Sequence, residues 1–349
     1  MMINIDLLKK ICETPGTSGF EKLIRDLVIR EVTPLVDEVS VDPMGNVIAL
    51  KKGKTPKRVM VAAHMDEIGF IVTHIDDDGF IRIHTLGGFD PKTLTSQRVI
   101  VHGKKDIIGV MGSKPIHIMK PEDRNKAPQL DDYFVDVGMK KEEVEKYISV
   151  GDPITRERAL IEMGDCVNSK SLDNRVSVFI LLEVLRKLKN ETVPYDIYGV
   201  FTVQEEVGLR GAISSAHAIN PHFGFGLDVT IAFDVPNAQP HERVTKLGEG
   251  TAIKIMDSST ICDYRMVRYM KEQADKHQIK WQPEILTAGG TDTAGLQRFG
   301  KNGAIAGAVS IPLRHIHSVI EMAHKEDIQS SIDLLKVCLQ NLDGYDWSF

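Results

Sequence analysis

The sequence predicts an α/β protein: a mixed, mostly parallel sheet flanked by helices, with a small inserted β domain. The chain has 349 residues, which is enough for a large core and more than one domain. Strand-like and helical segments alternate in residues 1–66 and 166–349, whereas residues 67–165 hold densely spaced short strands without long helices. We therefore expect the two outer ranges to form one domain and residues 67–165 to form the insertion.

The composition is typical of a soluble globular protein. It is 42% hydrophobic and 26% charged, and the net charge of −6 argues against nucleic acid as the main partner. No apolar run approaches the roughly 20 residues that cross a bilayer, and the N-terminus lacks the features of a signal peptide. The four cysteines are scattered without a C-x-x-C pair, which favours a reducing cytosol over a disulfide framework.

The first part of the chain predicts a short amphipathic helix, a turn, a second helix and two strands. Ser18 and Glu21 have the S-x-x-E spacing of a capping box, which predicts a helix from about Gly19 to Val32. Residues 46–53 and 58–64 are typical of strands, and the apolar centre of the second predicts burial on both faces.

The insertion predicts a small β fold. Residues 70–86 have the pattern of a hairpin around Asp-Asp-Gly, and residues 97–113 that of a second strand pair. The polar, proline-bearing residues 114–132 predict a loop.

Alternation of helices and strands resumes after the insertion. The pattern predicts helices at 174–190, 262–278 and 325–342, and strands at 195–203, 223–229, 251–256 and 302–311.

Acids and histidines fall at the ends of predicted strands. Ligands of open α/β sheets collect beyond the carboxyl ends of the strands. The residues at such ends are His64, Asp66, Glu205, Glu206, Asp228 and His317. Asp173 instead begins a buried helix, where free N–H groups favour a carboxylate.

This set has the makeup of a site for two metal ions. Carboxylate and imidazole ligands suit zinc, cobalt or manganese, and two ions need a bridging carboxylate. We interpret Glu206 as a ligand and Glu205 as a free general base, because one glutamate cannot easily do both. Taken singly, an adjacent glutamate pair is usually surface charge, and Asp173 could be only a helix cap.

Seven stretches carry a resemblance to a known family. In order they are PGTSGFE, AAHMDEIGF, KSLDNR, VQEEVGLRGA, the aspartate of GLDVT, GGTDTAG and RHIHS. Their order and near-complete coverage of the chain resemble the tetrahedral aminopeptidases, which are glutamyl and deblocking aminopeptidases with two metals, sometimes labelled endoglucanases. The resemblance implies a phosphorylase/hydrolase-like catalytic domain and two divalent ions per subunit, zinc or cobalt before manganese.

The resemblance also implies a role for each matching residue. Asp173 bridges the metals, His64 and Asp228 complete one shell, Glu206 and His317 complete the other, Asp66 orients His64, Glu205 takes the proton of the attacking water, and Gly290, Thr291 and Asp292 line the substrate pocket. The family further implies that the β domain mediates dimerisation and that dimers form a hollow tetrahedral dodecamer.

Two positions depart from the family pattern. His315 stands where an aromatic residue is expected, so it competes with His317 as a ligand, and Ser318 favours His317. Thr293 stands where a small residue usually follows, which could alter the pocket.

The sequence therefore predicts a metal-dependent aminopeptidase acting on peptides. One alternative is a glycoside hydrolase with paired carboxylates, but adjacent acids fit it poorly and only Trp281 and Trp347 offer tryptophan platforms for sugar. Others are a related two-metal deacylase or carboxypeptidase, and a scaffold whose metals are only structural. The sequence leaves the preferred N-terminal residue open.

Overall fold

The computed structural model describes residues 3–349 as two sheets with helices around the larger one. The helices are α1 (Ile5–Glu13), α2 (Lys22–Val32), α3 (Lys141–Val144), α4 (Leu172–Leu188), α5 (Arg210–Ile219), α6 (Tyr264–Lys276), α7 (Thr293–Arg298) and α8 (Lys325–Asn341). None of these helices combines the length and apolar character that spanning a bilayer requires.

The larger sheet has eleven strands and is parallel at its centre. Its strands are β1 (Glu38–Val41), β2 (Val47–Lys51), β3 (Thr55–His64), β10 (Ile161–Met163), β11 (Cys166–Ser169), β12 (Tyr195–Thr202), β13 (Phe223–Ile231), β14 (Thr251–Met256), β15 (Trp281–Ile285), β16 (Ile305–Arg314) and β17 (Glu321–His324). The neighbours β12, β3, β13 and β16 run parallel, and antiparallel pairs extend the sheet on both sides. The predicted fold class, a mixed α/β sheet flanked by helices with a small β unit, is confirmed.

The second sheet is a closed barrel. It is formed by β4 (Gly69–Ile75), β5 (Ile81–Leu86), β6 (Arg98–His102), β7 (Asp106–Ser113), β8 (Tyr133–Asp136) and β9 (Pro153–Arg156). The barrel encloses a hydrophobic cluster of its own, which includes Phe70, Val99 and Val135. Strand β10 already pairs with β11 of the larger sheet, although it lies inside the predicted insertion. The division at residues 66/67 and 165/166 stays a prediction.

Strand β3 is buried on both faces, as its apolar sequence predicts. Val59, Val61 and Ala63 face the main core, which α4 fills from one side of the sheet. Met60 and Ala62 face a smaller cluster on the opposite side, where α5 and α7 pack. The strand is therefore held rigidly between two apolar layers, and its last residue has a fixed position.

The predicted capping box is wrong. Helix α2 begins at Lys22, and no side chain caps its N-terminus. The Ser18 hydroxyl instead donates to Asp66 Oδ2 at 2.6 Å, and Glu21 Oε1 accepts from the backbone N–H of Gln204 at 3.2 Å. The S-x-x-E spacing therefore serves contacts with distant segments rather than the start of the helix.

Candidate active site

The carboxyl ends of the central strands carry most of the predicted site residues. His64 is the last residue of β3 and lies beside Thr202, the last residue of β12. Asp228 lies within β13, which β3 joins in parallel. Because these strands share one direction, their carboxyl ends meet at one edge, and the acids and histidines converge there.

Asp173 lies between the two histidines. Its Oδ1 is 3.3 Å from His64 Nε2, and its Oδ2 is 3.2 Å from His317 Nε2. The backbone of Asp173 is not helical (φ −76°, ψ 107°), so the residue precedes the regular part of α4 and its carboxylate faces the cluster. One carboxylate thus reaches both imidazoles, one with each oxygen.

Three more acids surround this core. His64 Nε2 lies 3.8 Å from both Asp228 Oδ1 and Glu205 Oε2, and His317 Nε2 lies 3.5 Å from Glu206 Oε2.

Two sets of side chains could each hold an ion: His64 with Asp173 and Glu206, and His64 with Glu205 and Asp228. Within each set the potential ligand atoms lie within 4.8 Å of one another. By distance alone, Glu205 is as able to contact an ion as Glu206.

The electrostatics of the site fit a cation. Burial, and then the neighbouring Asp173, raise the pKa of Glu206 to about 8, and burial raises the pKa of Asp228 to about 8. Glu206 Oε1 is also buried without a hydrogen-bond partner among residues 3–349. A divalent ion would relieve this repulsion and give the free oxygen a partner, so these residues fit a metal.

The histidines reflect the same excess of negative charge. Burial alone would lower the pKa of His317, but the hydrogen bond to Asp173 and the charge of Glu206 raise it to about 10. Burial alone would also lower the pKa of His64, but Glu205 and Asp173 raise it well above its usual value. The carboxylates around both imidazoles are therefore the common cause of these shifts.

Asp66 does not line the cavity, but it positions residues that do. His64 Nδ1 lies 3.3 Å from Asp66 Oδ1 and 3.1 Å from the Asp66 carbonyl oxygen. The same carboxylate accepts from the backbone N–H groups of Glu205 at 3.0 Å and Glu206 at 3.2 Å. Asp66 therefore fixes both the His64 ring and the backbone of Glu205 and Glu206.

A buried ion cluster joins three segments around the site. Glu67 accepts from Lys170 Nζ at 2.6 Å, from the Ser171 hydroxyl, and from the Gly16 N–H at 3.2 Å. Arg175 lies 3.6 Å from the same carboxylate. These contacts tie the segment after His64 to the segment that carries Asp173.

Glu321 is a site residue that the sequence reasoning missed. It is fully buried on β17, and its two oxygens accept from the backbone N–H groups of Asp173 at 3.0 Å and His317 at 2.9 Å. The only signal was an acid within the apolar run VIEMA, four residues after His317.

The structure brings His317, rather than His315, to the cluster. His315 is exposed, whereas His317 keeps about a third of its side-chain surface exposed and points its Nε2 at two carboxylates.

A cavity of about 520 Å³ opens over the acids and histidines. Gly290 and Thr291 line it, as the resemblance implies. Asp292 lies behind this wall, where it is 1% exposed and accepts from the Thr202 hydroxyl at 2.5 Å.

The tryptophans do not support a sugar site. Trp347 packs against Phe223, at the amino end of β13, with 4.7 Å between ring centroids. Trp281 donates from its indole N–H to Asp275. Neither lines the cavity that holds the acids, so the glycosidase alternative is not favoured.

An α/β sheet that gathers buried acids and histidines at its carboxyl edge is typical of hydrolases that hold divalent metals. The model of the M42 glutamyl aminopeptidase family matches residues 45–334, and the chain belongs to this family of peptide hydrolases.

Relatives and solved structures agree with this assignment. The chain is 36% identical to a lysyl aminopeptidase of Pyrococcus furiosus, with 99% of this chain and 100% of the relative covered. It superposes on an aminopeptidase of the archaeon Desulfurococcus kamchatkensis with a TM-score of 0.93, 39% identity, and 97% and 94% of the two chains covered. It also superposes on the TET1 peptidase of Pyrococcus horikoshii, described as assembling into a tetrahedron or a large octahedral shell, with a TM-score of 0.87, 32% identity, and 96% and 98% covered.

Proposed function

We propose that the protein is a two-metal aminopeptidase that removes the N-terminal residue of peptides. The observation that carries the proposal is the position of Asp173, whose two oxygens lie 3.3 and 3.2 Å from the imidazoles of His64 and His317. A single carboxylate between two histidines is the arrangement that a pair of ions needs.

Each ion would have its own ligands around this bridge. His64 and Asp228 would complete one shell, and Glu206 and His317 the other. When bound, two divalent cations, zinc or cobalt before manganese, supply Lewis acidity that polarises the scissile carbonyl and makes water a nucleophile near neutral pH.

Glu205 is the proposed general base. Its carboxylate is 9% exposed, lines the cavity, and lies 3.8 Å from His64 Nε2. Burial raises its pKa well above the usual value for a glutamate, which makes its carboxylate a stronger base. It would accept the proton of the attacking water and pass it to the leaving amine, while Asp66 keeps His64 in place.

The charge of the cavity supports an aminopeptidase over a carboxypeptidase. Apart from the proposed metal ligands and the proposed base, the charged residues that line it are Lys254 and Asp257, and no arginine among residues 3–349 lines it. Lys254, the lysine that lines the cavity, already lies 3.0 Å from Asp257. A C-terminal carboxylate would therefore lack a free cationic partner of the kind it needs.

We also propose that the chain forms a homo-oligomer, built from dimers into a tetrahedral dodecamer, with the barrel as the dimerisation surface. The assembly described for the Pyrococcus horikoshii peptidase supports this. So do the exposed apolar side chains on and after β7, at Ile108, Val110, Ile116 and Ile118.

A cytoplasmic location stays a prediction. The four cysteines are free thiols, which supports a reducing compartment.

A panel of fluorogenic aminoacyl substrates tests the function. We expect hydrolysis that a chelator abolishes and that zinc, cobalt or manganese restores. N-acetylation of the best substrate should abolish cleavage, because the free amino group is then lost. Cleavage of the acetylated substrate would indicate a deacylase or endopeptidase instead, and no cleavage of any substrate after metal loading would refute an enzymatic role.

A further inference from the structure

Resting on the proposed function, we propose that the enzyme prefers uncharged aliphatic N-terminal residues, such as leucine and methionine. The residues that determine this specificity are Lys254 and Asp257. They line the side-chain pocket, and because they form a buried ion pair, neither offers a free charge to the substrate.

The N-terminal side chain would bind against the part of the cavity lining that the acids and histidines do not form. The apolar residues of that lining are Leu209, Val229, Ile231, Leu286, Ala288 and Ile316. Apolar lining of this kind favours aliphatic side chains.

Outside the acid and histidine cluster, the charged residues of the lining are Lys254 and Asp257. Lys254 Nζ lies 3.0 Å from Asp257 Oδ2, and the two residues are 1% and 2% exposed. On its other side Lys254 lies 3.0 Å from Glu284 Oε1, a fully buried residue that does not line the cavity. An acidic substrate side chain would therefore meet a lysine that already has two carboxylate partners.

Asp257 is equally occupied. Its Oδ1 accepts from Ser259 N and Thr260 N, each at 2.8 Å, and its Oδ2 lies near Lys254 and 3.2 Å from the Thr291 hydroxyl. A lysine or arginine of the substrate would find no free oxygen on this carboxylate. An unpaired charge buried in the pocket would therefore weaken binding for either sign.

Thr293, which stands where the family usually has a small residue, contacts the ion pair through Thr291. Its Oγ1 lies 3.0 Å from the Thr291 hydroxyl, which in turn contacts Asp257. Thr293 fits there because Gly226 of β13 has no side chain, since a Cβ at that position would lie only 2.0 Å from Thr293 Oγ1. The threonine pair thus adds a further polar partner to the ion pair and fixes Thr291 at the pocket surface.

The test compares kcat/KM for leucyl, methionyl, lysyl, arginyl, glutamyl and aspartyl coumarin amides on the metal-loaded wild-type protein. We expect leucyl and methionyl substrates to exceed lysyl and glutamyl substrates by at least about tenfold. A lysyl or glutamyl substrate that equals or exceeds leucyl would overturn the inference while leaving the proposed function intact. Failure to cleave any of them would refute the proposed function, and this inference with it.

Variants of the Lys254–Asp257 ion pair test its role in substrate preference. Lys254→Met leaves Asp257 and Glu284 without their cation, so the lysyl-to-leucyl ratio of kcat/KM should rise about tenfold or more. Asp257→Asn should shift the glutamyl-to-lysyl ratio upward. Lys280→Met is the matched control. It removes a lysine whose side chain is 53% exposed, and it should change neither ratio.

Lys254→Met and Asp257→Asn each remove one charge from this buried pair, which destabilises the fold. A third variant therefore tests the pocket without removing a charged residue. Leu286 is half-buried in the lining, so Leu286→Asp places a carboxylate in the pocket and should raise the lysyl-to-leucyl ratio. Unchanged ratios in the folded variants would show that this wall does not select the side chain.

Discussion

The two ends of the central strands differ in what they bury. At the carboxyl ends, acids crowd around two histidines, and burial raises the pKa values of Glu206 and Asp228 to about 8. At the amino ends, Tyr195 and Phe223 stack with 5.8 Å between centroids, and Trp347 covers Phe223. One end concentrates like charge at a cost to stability, whereas the other packs aromatic surface that stabilises the fold. The contrast indicates that substitutions at the two ends should affect different properties.

The largest expected effect is on catalysis at the carboxyl end. Glu205→Gln removes the proposed base and should lower kcat by about 10²–10⁴-fold, because the proton of the water then lacks an acceptor. Steady-state kinetics combined with elemental analysis measures this. The variant should keep its metal, and near-normal turnover with full metal content would eliminate Glu205 as the base.

Glu321→Gln should act on metal binding. The amide keeps the size of the side chain but loses one of the two acceptors that hold the N–H groups of Asp173 and His317. We expect the metal affinity to weaken about 10–100-fold, measured by calorimetric titration of the chelated protein. Glu326→Gln, an exposed neighbour on α8, is the control. Equal affinities for wild type and Glu321→Gln would mean that Glu321 supports only the fold.

The metal-free protein should lose stability as the pH rises from about 5 to about 10. Burial raises the pKa of Glu206 above its unfolded value, so its protonated form favours folding at low pH, and that contribution is lost as the pH rises through about 8. His317 has the same sign, because Asp173 and Glu206 overcome burial and raise its pKa, so its contribution is lost through about 10. Thermal unfolding with chelator checks this, and saturating metal should flatten the dependence. A chelated protein more stable at pH 9 than at pH 6 would contradict the account.

The smallest expected effect on activity comes from the amino end. Trp347→Ala removes contacts with Phe223, Tyr269 and Tyr345 and the indole hydrogen bond to the Leu342 carbonyl. Because Trp347 is only partly buried, we expect a loss of about 2 kcal/mol in the free energy of unfolding, measured with denaturant. The value of kcat/KM per folded enzyme should stay within about twofold. A large loss of activity in the folded variant would show that the two ends are coupled.

The sequence allowed the strand ends to be located, and with them most of the site. Continuous apolar runs such as Val59–Ala63 identify buried strands, and a polar residue directly after such a run must lie at the sheet edge. This rule places His64, and similar reasoning leads to Glu205 and Glu206. For Asp173 and His317 the sequence pattern predicts only a place near this edge, because Asp173 begins a helix and His317 follows its strand after a short connection. Their assignment to particular metals rests on the family resemblance.

The supporting residues could not be predicted in this way. Glu321 acts through the backbone N–H of Asp173, 148 positions away, and a local pattern carries no information about such a bond. Ser18 and Glu21 matched a local rule for helix caps, but tertiary hydrogen bonds to Asp66 and Gln204 took precedence. The orientation of Asp292 toward Thr202 likewise depends on a hydrogen bond between residues 90 positions apart.

An anomalous-scattering experiment on crystals soaked in zinc or cobalt tests the central claim most directly. The account predicts two peaks per subunit, one on each side of the Asp173 carboxylate, with His64 and Asp228 at one and Glu206 and His317 at the other. A single peak, or peaks that Asp173 does not contact in a fully loaded crystal, would contradict it.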